Sequence, residues 1–185
     1  MSSVENKKKF HSAAKEIAYI ALAVAVITAC AWISIPVGII PITLQTLAVA
    51  LVGALLGWKR GTAAIFVYIL MGLIGIPVFS GATGVVRLFG PTGGYIFGFL
   101  FLALIPGLAK LIPVKNSWGR IAVIYAGMVL GMAVCYAFGT GWYMILTKCT
   151  LKVAITTCVL PFIVPDLIKF VVSVLLTVRL EKYIK

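Results

Sequence analysis

Apolar residues in this chain come in long runs, separated by short stretches that are charged or rich in glycine and proline. The runs are Ile17–Ile35, Leu44–Trp58, Thr62–Phe79, Gly93–Ala109, Ile121–Phe138 and Val159–Val178. A helix needs about 20 mostly apolar residues to cross the hydrocarbon of a bilayer, where the backbone must satisfy its own hydrogen bonds. The pattern therefore predicts an all-α integral membrane protein: one bundle of six transmembrane helices over residues 17–178. A polar segment, 1–16, precedes it and a short tail, 179–185, follows. The second run is short and is entered through IPVGIIPITLQ, where Pro36 and Pro41 bar a regular helix, because proline lacks an N–H and restricts the residue before it. The first run has no small-residue cleavage pattern after it, so it is expected to stay as helix one rather than leave as a signal peptide.

Composition agrees: 63% of the 185 residues are hydrophobic and 11% are charged, with a mean hydropathy of +1.17, which excludes an ordinary soluble domain. The sixteen Lys and Arg orient the bundle. With the N-terminus in the cytoplasm, twelve lie on the inner side: Lys7, Lys8, Lys9, Lys15, Lys59, Arg60, Lys110, Lys115, Arg120, Arg179, Lys182 and Lys185. Arg87, Lys148 and Lys152 lie outside and Lys169 lies within the last crossing. Cytoplasmic loops carry the excess of positive charge, so both termini are expected inside. This topology and the attraction of anionic lipid account for the net charge of +12 without a nucleic-acid partner, because the basic residues cluster at helix ends and form no stripe with interleaved aromatics. The four cysteines show no C-x-x-C pair and read as apolar fillers; His11 lies in the polar leader, and no phosphate-binding G-x-x-x-x-G-K-[ST] loop occurs. No metal site and no ATP chemistry are expected of the chain itself.

Two stretches depart from membrane filler. The segment GIPVFSGATGVVRLFGPTGGY, Gly75 to Tyr95, holds six glycines, two prolines and one arginine between the third and fourth helices. That density of glycine predicts a folded-back outer loop, and the interleaved Val78, Phe79, Leu88 and Phe89 predict that it packs as a cap over a cavity. The second stretch is FIVPDLIKFVV. Pro165 and Asp166 suit either the first turn of a helix or a kink within a longer one; in both cases Asp166 and Lys169 stand at i and i+3 on one face. A charge at the bilayer centre costs roughly 2.5–3.5 kcal/mol even on an insertion scale, so such residues are functional candidates. The alternative is a self-neutralising structural ion pair. With one membrane carboxylate and no histidine beside it, the acid–base pairing of an enzyme is lacking.

Taken together, PITLQTL at 41–47, GLIGIPVFSG at 72–81, LFGPTGGYIFGF at 88–99 and PDLIK at 165–169 resemble the BioY proteins, the biotin-specific substrate-binding (S) components of energy-coupling factor (ECF) transporters. The resemblance spans nearly the whole chain. It implies capture of biotin from outside, with biotin as transported ligand and no cofactor, and it implies that Asp166 and Lys169 contact the ligand. Arg87, the one arginine of the outer side, is a further candidate, and Thr43, Gln45 and Tyr95 are candidates for neutral hydrogen bonds, each with the alternative of a satisfied buried polar residue. In helix one, Ala14 and Ala18, and Ala21 and Ala25, are spaced for close helix approach. That spacing fits packing within the bundle; the resemblance implies instead docking to a transmembrane coupling subunit, with two ATPase subunits completing the complex in the plasma membrane of a prokaryote. An S component for another vitamin and a non-transport membrane anchor are the rival readings.

Overall fold

A computed structural model describes residues 3–36, 40–81 and 84–184. The elements are α1 (Ser3–Trp32), β1 (Ser34–Ile35), β2 (Ile42–Thr43), α2 (Gln45–Leu73), α3 (Gly84–Phe89), α4 (Gly93–Ala109), α5 (Ser117–Thr147), α6 (Leu151–Cys158) and α7 (Leu160–Ile184). The fold is helical apart from the two short strands, which pair antiparallel with Ser34 opposite Thr43 and Ile35 opposite Ile42. They occupy the proline-bounded stretch that the sequence marks as non-helical. Four stretches among the described residues are long and apolar enough to cross a membrane, Ala13–Trp32, Gln45–Leu73, Ser117–Thr147 and Leu151–Tyr183, and Gly93–Ala109 is a shorter apolar helix.

The stretch Gln45–Leu73 is not one rod. In a straight helix, positions 45 and 68 would lie about 35 Å apart, yet the Gln45 side-chain amide donates to the Tyr68 hydroxyl at 2.6 Å. The chain reverses at Gly57, whose φ of 79° and ψ of 171° are non-helical and lie in a region that only glycine enters without strain. The second and third apolar runs thus become the two arms of a tight helical hairpin. Gly61 packs against Gly53 between the arms, so near that a Cβ at 61 would come within 2.8 Å of Gly53 Cα. On its other side Gly53 meets the main chain of Ala103, where a Cβ would collide. Close backbone approach substitutes for the hydrophobic drive that helices lack in lipid, and it seats α4 directly on the hairpin.

Two other features differ from the sequence reading. α5 begins earlier and runs nine residues beyond Phe138, to Thr147. It starts where Asn116 caps it, the side chain accepting from Gly119 N–H at 2.6 Å, and ends at Lys148, whose left-handed φ of 53° breaks the helix. The glycine-rich segment is not wholly irregular: α3 forms one and a half turns in its middle, and Gly93–Tyr95 already belong to α4. Of the two placements the sequence allows for Pro165, the structure shows the one within a longer helix: it lies inside α7, which starts at Leu160, so Asp166 is not at a helix start. The absent proline N–H is tolerated one and a half turns into the helix, just past the break at Val159 that separates α6 from α7.

Polar clamps close the end of the bundle opposite the strands. The Glu181 carboxylate accepts from Lys110 at 3.1 Å and from Arg120 at 2.6 Å, and Lys110 also donates to the Leu55 carbonyl at 2.9 Å. Four helical segments meet there. Glu16 of α1 pairs with Arg60 of the second hairpin arm. At the strand end, Trp32 donates to the Pro77 carbonyl and Trp142 to the Gly90 carbonyl, each at 3.1 Å, and Tyr68 donates to the Val78 carbonyl at 2.9 Å. The glycine-rich segment is thereby pinned over the helices beneath it.

Gly57→Ala tests the reversal. No atom lies within 4 Å of the added Cβ, so its whole cost is the backbone conformation, about 1–3 kcal/mol. Gly53→Val meets the Ala103 main chain and is expected to cost more. Thermal unfolding of the purified variants in detergent reads both, and a Gly57→Ala protein as stable as the parent would exclude the turn.

Candidate functional site

The strand end of the bundle encloses a cavity between the hairpin, α4, α5 and α7, roofed by the glycine-rich segment. Its empty space is about 620 Å³ when the mouth and the open volume before it are counted in. Phe79, Phe99 and Phe162 supply apolar wall, each less than a tenth exposed. All six residues singled out from the sequence, Asp166, Lys169, Arg87, Gln45, Thr43 and Tyr95, line it.

Asp166 and Lys169 share one face of α7, with Lys169 Nζ 2.9 Å from Asp166 Oδ1 and side chains only 4% and 11% exposed. Neither is left to the other alone. Thr46, in the first turn of α2, donates to Asp166 Oδ1 at 2.8 Å and accepts from Lys169 Nζ at 3.2 Å. Tyr136 of α5 donates to Asp166 Oδ2 at 2.6 Å. A carboxylate offers about four acceptor directions and an ammonium three donors. Three directions on Asp166 and two donors on Lys169 are used, so the pair still presents one acceptor and one donor side by side.

The other candidates divide. Gln45 is buried and spends its amide on Tyr68, and Thr43 Oγ1 accepts from the Gln45 N–H at 3.2 Å, which steadies the start of α2 and leaves the Thr43 hydroxyl hydrogen unspent. The Tyr95 hydroxyl lies 3.1 Å from Thr140 Oγ1 and donates to the Cys158 carbonyl at 3.4 Å; its ring packs on Gly139, where a Cβ would collide with it. The Tyr95 hydroxyl is thus engaged within the bundle. Arg87 differs from all of these. Every acid whose side chain is described already has a basic partner, Glu16 with Arg60, Glu181 with Lys110 and Arg120, and Asp166 with Lys169. Arg87 pairs with none of them. Burial pushes its pKa below the ordinary value, but a guanidinium starts so high that it stays charged at neutral pH.

Thr46 and Tyr136 were missed from the sequence. Tyr136 carried a signal: a phenol in an apolar membrane helix has to find a hydrogen-bond partner. Thr46 carried none, because nothing local separates it from Thr43 or Gln45.

The four alanines of α1 lie elsewhere. Ala14, Ala18, Ala21 and Ala25 are all exposed, and only 17% of the Ala13–Trp32 stretch is buried, against 50% of Gln45–Leu73. α1 packs on the hairpin through Ala23, Val24, Ile27 and Ala31, so the small-residue face is not consumed by packing within the chain. Beside it runs a shallow apolar groove floored by Val67, Met71 and Pro77.

The BioY family model matches residues 4–185. "Biotin transporter BioY" of Thermotoga maritima is 42% identical over 159 residues, covering 85% of this chain and 90% of that protein. "Probable biotin transporter BioY" of Pyrococcus horikoshii is 38% identical over 169 residues, covering 91% and 97%. The crystal structure of an S-component for biotin from an ECF-type ABC transporter superposes with a TM-score of 0.79 at 28% identity, covering 98% of this chain and 95% of that one.

Lys169→Met leaves Asp166 buried with only neutral donors. Breaking a buried pair costs about 3–5 kcal/mol, and the two remaining hydroxyl donors place the loss toward the lower figure. The double variant Asp166→Asn/Lys169→Met should recover part of it. Melting of the ligand-free proteins decides: equal losses in the single and double variants would mean that the two charges are not coupled.

Proposed function

The chain belongs to the BioY family, and from that premise we propose that it is the biotin-binding S component of an ECF-type transporter, a membrane transport protein rather than an enzyme. The observation that carries the reading is the Asp166–Lys169–Thr46–Tyr136 network at the wall of the cavity. Its one spare acceptor and one spare donor match the ureido ring of biotin, whose N–H donates and whose carbonyl accepts. Charge-assisted bonds of this kind are the strong ones. The sulfur-containing ring and the valerate chain are apolar and suit the phenylalanine walls. Asp166 repels the tail carboxylate, whereas Arg87 is a half-buried cation without an acidic partner among the described residues, so the tail points to Arg87.

Six crossings, rather than the four found by length and composition, follow if each arm of the hairpin and the shorter α4 count separately. The arms have 12 and 16 residues on either side of Gly57. The Glu181 clamp and the Glu16–Arg60 pair then lie on the cytoplasmic side with both termini, where twelve of the sixteen Lys and Arg fall, and the cavity opens outward across the plasma membrane of a prokaryote. Energy comes from an ECF module comprising a transmembrane coupling subunit and two ATPases. The exposed alanine face of α1 is the docking surface, because small side chains permit close helix approach in lipid.

Purified protein should bind biotin and neither thiamine nor riboflavin. Binding of one of those instead would favour an S component for another vitamin, and binding of none would favour an anchor subunit. Asp166→Asn should weaken biotin binding at least roughly tenfold, or about 1.4 kcal/mol, because the acceptor charge is lost and the amide adds an unwanted donor. A variant that melts earlier yet binds biotin like the parent would leave the pair a purely structural role.

Replacing Ala14, Ala18, Ala21 and Ala25 with leucine should spare binding and abolish ATP-dependent uptake in vesicles that also hold the coupling subunit and ATPases. Single cysteines at 148 and 115, labelled by an impermeant thiol reagent in intact cells, read the orientation in the same system: 148 should react and 115 should not. Concentrative uptake by the chain alone would defeat the docking proposal.

A further inference from the structure

Thr92 occupies the N-cap of α4 without capping it. Its φ and ψ of −96° and −4° are helical and its side chain makes no cap hydrogen bond, whereas a capping threonine sits in extended backbone and turns its oxygen toward the free N–H groups of the first turn. Its carbonyl is spent in the helix, accepting from Tyr95 at 3.1 Å and Ile96 at 3.3 Å. The hydroxyl is not spent. Thr92 is 7% exposed, and its Oγ1 has no hydrogen-bond partner among the described residues. Buried polar side-chain atoms nearly always have one. Thr62 Oγ1 is likewise unpartnered, but only Thr92 belongs to the cavity wall, on the same glycine-rich segment as Arg87.

The turn that carries Thr92 is held on both sides. Trp142 Nε1 donates to the Gly90 carbonyl at 3.1 Å, Gly93 N–H donates to the same carbonyl at 3.0 Å, and the Leu88 carbonyl fills the space a Cβ at Gly93 would need. The backbone at 92 is therefore fixed, and the hydroxyl can be redirected only by turning about χ1. The first turn of α4 adds its own positive end, since backbone N–H groups at a helix start favour an anion.

We infer that the Thr92 hydroxyl donates a hydrogen bond to the carboxylate of the bound ligand beside the Arg87 guanidinium, and so sets the preference for the free acid over its esters. The inference rests on the reading above, in which Arg87 receives the tail of biotin. A hydroxyl that donates to a carboxylate oxygen makes a charge-assisted bond, roughly twice as strong as the bond it would make to a neutral ester carbonyl. Arg87 alone would attract any anion; the hydroxyl adds a second, directional contact that an ester satisfies poorly.

The test measures biotin and biotin methyl ester by titration calorimetry on the purified full-length protein, with melting of the ligand-free protein alongside. Thr92→Val keeps the shape and removes the donor. It should weaken biotin roughly tenfold, weaken the methyl ester much less, and leave the ligand-free melting temperature unchanged or raised, because the lost hydroxyl had no partner to lose. Thr92→Ser should restore most of the preference for the acid. Parent-like binding of both ligands by Thr92→Val would overturn the inference. So would equal losses for acid and ester, or a lowered melting temperature that Ser does not rescue, since those mark a packing role. If Thr92→Val does not fold, Thr92→Ala in the same two titrations decides by the same ratio. Failure of the parent protein to bind biotin would remove the underlying reading instead, and the parent titration identifies that case separately.

Discussion

Water is not at hand within a bilayer to solvate a charge, so a carboxylate placed there must find its partners in the protein. Asp166 does so by drawing three helical segments to one point. Lys169 comes from its own turn of α7, Thr46 from the first turn of α2 and Tyr136 from the middle of α5. The network fixes the rotation of α7, because turning it by even one residue would carry Asp166 away from both hydroxyls.

The remaining architecture makes room for that point. α4 lies between the hairpin and α5 because glycines let main chains meet: Gly53 against Ala103 on one side, and Gly98 against Cys135 and Gly131 against Leu102 on the other. Close packing brings the start of α4 under the glycine-rich segment, and the three indole and phenol hydrogen bonds at Pro77, Val78 and Gly90 hold that segment down. The result is a cavity lined by two kinds of charged group: the Asp166–Lys169 ion pair, whose charges largely cancel, and Arg87, which pairs with no acid among the described residues.

The bundle is also asymmetric on its outside. Most of its helices bury a face against two neighbours, whereas α1 packs mainly on the hairpin and turns its alanines outward. In water, exposed alanines would mean little. In lipid, where leucine covers a surface as well as alanine does, a row of small residues lowers the cost of bringing another backbone near. The binding cavity and the small-residue face use different elements, so substitution of one need not disturb the other.

Much of this was legible in the chain itself, for reasons that are local. Runs of apolar residues are dictated by the thickness of hydrocarbon, and Asp166 and Lys169 stand out because charge is so costly there that each must have a purpose. Glycine density between Gly75 and Tyr95 announced a folded segment, although the short helix α3 within it depends on packing that no local signal carries. The reversal between the two arms of the hairpin turned on a single glycine, Gly57, which has the same side chain as seventeen others in the chain; its non-helical backbone and the contacts between the arms distinguish its role. The boundaries of α5 were misjudged because polar residues beyond an apolar run are tolerated in a helix when neighbouring helices cover them. Thr46, Tyr136 and Thr92 lie 120, 30 and 74 positions from Asp166 in sequence. That they line one cavity with Asp166 was decided by tertiary structure, since a hydrogen bond depends on where two atoms come to rest and residue type along a chain records only which bonds are possible.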